Sequence, residues 1–581
     1  MYTRRTLKQP QGRKIAEYGL GQPVLSFDPE NTIIYGNTIE TFLEWLERFQ
    51  GTVYFHNLKF DGGFIIDYLF RKGYTWITGR KLEEKEFTTL ISDMGQWYSI
   101  KVAFYNEISG VTKTVNIFDS LKILPMSIDS MPKSFDIPIK KLELDYHEDR
   151  EVGHELTEEE EKYITNDVLI LAHALKFMYD QNMKKLTTGS NALNYFKKQI
   201  GKEKYDKLFP VLSLVDDTDI RLAYKGGFTY LNPYYKGKDI GNGCVYDVNS
   251  MYPWAMKFKP LPYGTPVYYT GKYEENNIYT LYVQCLICEF KIKPGMIPTI
   301  QIKNNWRYAE TEYLTESNGP TVLHLTSVDL KLMFDHYNVI VHEWVSGYMF
   351  KSKVGIFTGY IDYWYDVKTT SRLEGNKGME KLSKLMLNSL YGKFGTKPKG
   401  RSKMPYYDEE EQKVRFTITP EEERKPGYIP VACFITAWCR DNIIRSAQKC
   451  GERFIYADTD SLHIAGEEPP DIDIDNSRLG AFKLEEKFER ARFLRQKTYM
   501  EQVNGKLDIK CAGMPQRIKD GIELKDENGN TITQKVDFDT FYEGAEFDGK
   551  LLPKVVRGGV ILKETTFKIK KAKGVDKYTQ A

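Results

Sequence analysis

Cysteine is scarce in this chain, with seven in 581 residues: Cys244, Cys285, Cys288, Cys433, Cys439, Cys450 and Cys511. So thin a set builds no disulfide framework and implies a reducing compartment. Cys285 and Cys288 have CxxC spacing, but no second pair and no nearby histidine in the sequence completes a zinc site. They sit in "YTLYVQCLICEFKI", a strand-like run, and read as buried strand thiols. Long apolar runs are missing too: none reaches the ~20 residues a membrane-spanning helix needs. The basic N-terminal run "MYTRRTLKQPQGRK" is followed by no apolar core, which argues against a secretory signal. A cytosolic protein off the membrane is expected. Charge of one sign is also lacking, since the formal net charge is +2. Nucleic-acid binding would therefore have to come from local sites. There is no internal repeat and no long low-complexity tract.

The chain does have length and rings. At ~150 residues per unit it has room for three or four compact bodies. Aromatics are 14% of the residues, with 40 tyrosines, which suits large cores and base-stacking surfaces alike. Periodicity predicts strands at "TVYFHN", "TVNIFDS", "CVYDV", "NIYTLYVQCLICEFKI" and "YNVIVHEWVSGYMF". It predicts helices at "IETFLEWLERF", "EEEEKYITNDVLILAHALKFMYDQ", "GMEKLSKLMLNSLYGKF" and "FITAWCRDNIIRSAQKC". The polar stretch 395–429 reads as a hairpin on linkers, and "RFIYADTDSLHIAG" as a β-hairpin. From Leu551 the chain is basic, with eight lysines and arginines against Glu564 and Asp576, and reads as a tail.

The acids carry the chemistry. Asp458 and Asp460 lie two apart at the predicted hairpin tip, where strand alternation would put both on one face. Two such carboxylates repel unless a cation sits between them; alone, the DTD run is equally a turn in which Asp caps its own backbone. "VYDVNSMYP" ends an apolar strand on Asp247. A strand-end carboxylate facing a two-Asp hairpin is a ligand set for two magnesium ions, which take hard oxygen donors. Such a pair of ions can align an attacking hydroxyl and a leaving pyrophosphate, which is nucleotidyl transfer. In "KLSKLMLNSLYGKFG", Lys384, Asn388 and Tyr391 share one helical face while Leu382, Leu385, Met386, Leu387 and Leu390 cover the rest. That face suits a triphosphate and a base pair; it is also what a solvated helix face looks like.

Together these strings resemble a known family. "DVNSMYP", "KLMLNSLYGKFG" and "YADTDS" are similar to motifs A, B and C of family B DNA polymerases, in order. "KTY" resembles that family's KxY motif and "YKGGF" its YxGG motif, and "DMGQWY", "IPTIQIK", "FITAW" and "KCAGM" extend the likeness. It spans about residues 35–570 and is similar to the protein-primed polymerases of small Bacillus phages, the phi29 type. The resemblance implies an α/β and α+β multidomain fold: a right-hand polymerase of palm, fingers and thumb behind an N-terminal RNase H-like 3′–5′ exonuclease domain. The implied divisions are an exonuclease-like domain (1–187), palm (188–258 and 430–511), fingers (356–394), and thumb with basic tail (512–581). Two insertions, 259–355 and 395–429, would lie beside a terminal protein and around DNA. By the same resemblance Asp247, Asp460 and the Val248 carbonyl bind two Mg²⁺ ions, with Mn²⁺ able to substitute, and Asp458 completes the acidic cluster. Tyr252 would stack under the incoming sugar. Lys368 and Lys384 would hold the triphosphate, with Asn388 and Tyr391 beside the nucleotide. Tyr224, Gly226, Gly227, Lys497 and Tyr499 would contact primer and template, the last two from one face of a strand. The implied partners are template-primer DNA, dNTPs and a terminal protein, for a monomer in the cytoplasm of an infected bacterial host. A reverse transcriptase usually needs two adjacent aspartates in this hairpin, and here Thr459 separates them.

The exonuclease motifs are incomplete. "HNLKFDGGF" resembles the second, with Asn57 and Asp61 as the functional pair and His56, Phe60 and Phe64 gripping single-stranded DNA; Gly62 and Gly63 would let the backbone turn tightly. "YITND" resembles the third, with Tyr163 and Asp167 on one helical face and Asp167 a metal ligand. "KKLELDY" supplies Lys141 and the acid Glu143, taken as a further metal ligand, and "FDSL" supplies Ser120 and Leu121. The first motif should be D-x-E before residue 20, yet no aspartate precedes Asp28 and the only earlier acid is Glu17. Arg4 and Arg5 stand about where the acids belong. A polymerase that edits weakly or not at all is expected.

Overall fold

A computed structural model describes residues 4–6, 34–36, 38–49, 51–106, 110–144, 155–301, 313–519, 521–525 and 531–571. The place of the missing D-x-E motif, Glu17 included, falls largely outside these. Of it, the strand Arg4–Thr6 pairs antiparallel with Ile34–Gly36.

The N-terminal body is a five-stranded mixed sheet in the order Thr52–Phe55, Val111–Asp119, Trp97–Asn106, Glu86–Ile91 and Thr75–Trp76. The helices Ile39–Phe49 and Leu58–Arg71 cover it through Phe42, Leu43, Leu46, Ile65, Ile66 and Leu69. The long helix Glu158–Asp180 starts at a capping box, Thr157 with Glu160, and has four glutamates in its first turn. Both features complement the unpaired amides and positive end of the helix dipole.

The centre of the molecule is an antiparallel sheet in the order Phe482–Phe488, Gly243–Val248, Ser461–Ala465, Phe454–Asp458, Thr229–Leu231. Its largest core joins Val248, Met251, Leu462 and Ile464 to three helices, Thr358–Leu373, Lys377–Phe394 and Ile429–Lys449. The last is buried nearly all round, and Pro430 opens it where an amide proton is dispensable. A second four-stranded sheet, Lys506–Cys511, Thr498–Val503, Arg490–Arg495 and Asp239–Ile240, packs against the central one through Tyr456, Phe488, Phe493 and Tyr499. Segment 261–353 forms a third sheet of long strands, with the helix Ser327–His336 on it.

Arg440 locks these parts together. Its guanidinium, 2% exposed, donates to both carboxylate oxygens of Asp329 at 2.7–3.0 Å, and to the carbonyls of Lys225 (2.9 Å) and Gly226 (2.7 Å). Asp329 caps its own helix with Thr326, so segment 261–353 is tied directly to the YKGGF loop.

Three expectations change. Gly62 and Gly63 make no turn, since both lie inside the helix Leu58–Arg71. The turn falls on Asn57, whose φ of 67° is left-handed. The glycines serve close packing: a Cβ on Gly62 would lie 2.6 Å from the Trp97 ring, and one on Gly63 would lie 2.6 Å from Val560. The basic tail is a β-hairpin, Glu546–Val556 with Gly559–Lys568, whose tip reaches that same helix; residues 572–581 lie outside those described. Cys288 is buried as expected, but Cys285 Sγ lies 3.7 Å from His324 Nε2, a neighbour contributed by the adjacent strand.

Breaking the buried pair on one side leaves an uncompensated charge. Asp329→Ala is expected to cost about 3–5 kcal/mol in the unfolding transition that includes the Arg440 helix, read by chemical denaturation. A loss under about 1 kcal/mol would show that the pair is not structurally required.

Candidate active site

Asp247 is the penultimate residue of the strand Gly243–Val248 and pairs in register with Ser461 on one side and Lys483 on the other. Val248 N donates to the Asp460 carbonyl at 2.8 Å, so the motif A strand and the aspartate hairpin are joined at the site itself. Asp458 and Asp460 do not alternate along a strand, contrary to the expectation. Asp458 is the last strand residue, and Asp460 lies in a turn closed by a 2.7 Å bond from its amide to the Asp458 carbonyl. Thr459 between them is left-handed, with φ of 65°, and donates to the Phe228 carbonyl at 2.7 Å. Gly227 makes room for it, because a Cβ there would meet the Thr459 side chain at 2.8 Å. The YKGGF loop, which opens on the half-buried Tyr224, is therefore a buttress of the aspartate turn.

The two tip acids have different partners. Asp458 accepts from Lys497 Nζ at 2.7 Å and from the Tyr456 hydroxyl at 3.1 Å. Asp460 and Asp247 face each other electrostatically. Burial, then the charge of Asp460, pushes Asp247 up to about 7; burial, with Asp458 and Glu485 adding, pushes Asp460 to about 6. Lys483 lies 3.6 Å from Asp247 and opposes the rise only partly. Among the described residues no three His, Cys, Asp or Glu side chains are gathered into a ready metal cage. What is present is a mutually repelling oxygen pair, a donor set suited to hard divalent cations that keep water and phosphate in their shell.

Cations cluster opposite. Burial, then Arg372, Lys384 and Lys483, lowers Lys368 to about 8. Lys368 Nζ donates to Ser250 Oγ at 3.3 Å, and Lys384 pairs with Glu380 at 2.9 Å. Lys384 and Asn388 are exposed on the helix face, as the periodicity predicts. Tyr391 stacks on Tyr252 with centroids 4.0 Å apart and planes at 13°. Arg372 and Lys483 were not singled out from the sequence. Arg372 was detectable, one helical turn after Lys368; Lys483 comes in only through strand pairing.

Lys497 is not on a strand face beside Tyr499. It occupies the preceding turn with φ of 55°, and its amide donates to the Tyr456 hydroxyl at 3.0 Å. Tyr499 is buried and stacked on Phe493 at 4.9 Å.

In the N-terminal body, Lys141 Nζ lies 2.9 Å from the Tyr163 hydroxyl and 3.0 Å from an Asp167 oxygen. Glu143 is exposed two residues beyond Lys141. Burial raises Asp61 to about 7, with Asp119 adding. Asp119, also missed, accepts from the amides of Asn57 and Leu121 at 3.0 Å and so fixes both motifs. His56 commits its ring nitrogens to Ser120 Oγ (3.0 Å) and the Met126 carbonyl (2.8 Å). Phe60 stands edge-on to Phe64 at 5.6 Å. Phe64 is buried under the hairpin tip at Gly559, which covers the face expected to grip DNA. Leu121 lines a cleft of about 540 Å³ with Tyr98 and Thr188.

An acid-ended central strand, an aspartate hairpin beside it and a cation-studded helix over both define a right-hand nucleic-acid polymerase. The family model for DNA polymerase type B, organellar and viral, matches residues 45–152 and 142–479, and the chain belongs to that family of DNA-directed DNA polymerases. The DNA polymerase of Bacillus phage M2 is 43% identical over 557 residues, covering 92% of this chain and 94% of that protein. Phi29 DNA polymerase complexed with primer-template DNA superposes with a TM-score of 0.85 at 40% identity, covering 93% of this chain and 95% of that one. The phi29 ternary complex with incoming nucleotide substrates gives 0.84 at 41% identity, covering 93% and 95%.

Burial first, and charge repulsion second, makes the ionised Asp247 and Asp460 destabilise the metal-free fold above their titration range. At pH 8, where both are ionised, Asp247→Asn is expected to stabilise metal-free protein by on the order of 2 kcal/mol, seen as a higher thermal midpoint. A midpoint unchanged or lower would refute the repulsion.

Proposed function

We propose that this polymerase extends a primer 3′-hydroxyl by two-metal nucleotidyl transfer, and that it starts a linear phage-type genome from a hydroxyl of a terminal protein. The observation that carries the reading is the opposed pair Asp247 and Asp460 facing the cations Lys368, Arg372, Lys384 and Lys483. Asp247, Asp460 and the Val248 carbonyl would hold Mg²⁺ or Mn²⁺, which when bound supplies charge stabilisation to the attacking and leaving oxygens. Lys368 and Lys384 orient the triphosphate as point charges. The Tyr252–Tyr391 stack forms a flat floor under the incoming sugar and base, where a 2′-hydroxyl would be crowded. Lys497 and Tyr499 grip the primer terminus, and Lys497 also holds Asp458 in place through their 2.7 Å contact. The basic hairpin 546–568 follows backbone phosphates without reading sequence. Protein priming is supported by segment 259–355, and strand displacement by the hairpin 403–418, which packs on the N-terminal body through Val414, Phe416 and Tyr407. A monomer is the working form.

Editing is weak or absent in this reading. Three observations support it: the missing D-x-E acids, the Lys141 ammonium seated on Asp167, and the hairpin tip over Phe64. A cation at the one strong acid of the third motif opposes metal binding there.

Primer extension with dNTPs and Mg²⁺ is expected to fall at least about 100-fold in Asp458→Ala. Extension that survives the change would remove the site assignment and favour a scaffold that only binds DNA. In a 3′–5′ degradation assay on single-stranded DNA with Mg²⁺, the wild type should barely exceed background; rapid digestion abolished by Asp167→Ala would falsify the editing defect.

A further inference from the structure

We propose that His463 and Glu501 form a positioning pair that sets the placement of the primer-gripping hairpin against the catalytic aspartates. The proposal rests on the reading of Lys497 and Tyr499 as primer contacts. His463 Nδ1 lies 2.8 Å from Glu501 Oε1, and the two side chains are 3% and 2% exposed. They belong to different sheets: His463 to Ser461–Ala465, directly after the aspartate turn, and Glu501 to Thr498–Val503, directly after Lys497.

The strand Thr498–Val503 has a register problem. Thr498, Tyr499, Met500 and Glu501 are all buried, so its first four residues show no alternation of apolar and polar sides. Met500 faces the core of the C-terminal segment, while Tyr499 faces Tyr456 and Phe493. Apolar burial alone therefore specifies poorly which residues turn toward the aspartates, and a slip by one residue would turn every side chain over. Glu501 removes that freedom. It shares the Tyr499 face and meets His463 within an enclosure of Tyr456, Phe493 and Tyr499 rings, whose centroids lie 5.2–5.4 Å from the imidazole. Misplaced, Glu501 would be a buried carboxylate without a partner, a strongly disfavoured state. An apolar pair would fill the same space without specifying register, so the pair is better explained by placement than by stability.

Placement matters because the contacts continue to the site. Tyr456 pairs in register with His463 and donates its hydroxyl to Asp458, while accepting from the amide of Lys497. A shift of Glu501 along its strand moves Lys497 and Tyr499 relative to Asp458 and Asp460, and small misplacements at a reacting centre have large effects on rate.

The test compares His463→Leu/Glu501→Leu, Glu501→Leu, Glu501→Gln and Lys497→Ala in steady-state primer extension with unfolding midpoints. The double variant is expected to keep a near-wild-type midpoint but to raise the KM for primer-template at least about tenfold, with the KM for dNTP within about twofold. Glu501→Gln, which keeps the hydrogen bond, should stay within about threefold of wild type, unlike Glu501→Leu. That contrast holds whether or not the double variant folds. Wild-type KM for primer-template in Glu501→Leu, with Lys497→Ala impaired, would overturn the pair. An unimpaired Lys497→Ala would instead overturn the reading of the hairpin beneath it.

Discussion

Arg440 and Asp329 meet in the interior, and the geometry of the aspartate turn hangs on that contact. The guanidinium spends its remaining donors on the carbonyls of Lys225 and Gly226. Those carbonyls belong to the loop that makes room for Thr459 and accepts its amide. Thr459 is the left-handed residue that lets Asp458 leave one strand while Asp460 enters the turn. A side chain on a central helix thus sets the turn that presents the acids. Because Asp329 lies in segment 261–353, that segment is coupled to the active site through two side chains. An isolated buried charge is so costly that neither partner can move without the other, which makes the contact a rigid reference point.

The active site itself is built from opposed charges held apart. Burial, then Asp460, raises the proton affinity of Asp247, and burial with Asp458 and Glu485 raises that of Asp460, while Lys368 is driven toward neutrality by burial and its cationic neighbours. Each cluster is unfavourable alone. Hard divalent cations are the counter-charge that would relieve the first, and an anion the second. Asp458 instead pairs with Lys497, which reaches it from the turn before the strand Thr498–Val503. The two acids of the hairpin thereby have different neighbours, Asp460 facing Asp247 and Asp458 facing the turn that holds Lys497.

Regular elements were readable because their patterns are local. The helix Ile39–Phe49 coincides with the run "IETFLEWLERF", and the strand Leu281–Ile292 falls inside its apolar run. Lys384, Asn388 and Tyr391 fall on one face because helical spacing demands it. Misreadings gathered where a residue's neighbour is distant in the chain. Gly62 and Gly63 look like a turn until Trp97 and Val560 are seen against them. Asp460 and Lys497 were placed on strands, yet both sit in turns whose left-handed residues, Thr459 and Lys497 itself, are held by tertiary hydrogen bonds.

The sequence by itself determined the polymerase class, the acids Asp247, Asp458 and Asp460, the basic helix and the absence of an early D-x-E pair. These are matters of residue identity and short spacing, which no fold can alter. Only the tertiary structure decided which acid faces which charge. It joined Asp458 to Lys497, set Asp460 against Asp247, brought Arg372 and Lys483 to Lys368, seated Lys141 on Asp167 and enclosed His463 with Glu501. Coulomb and desolvation energies depend on distance and burial, and those exist only once remote segments have packed.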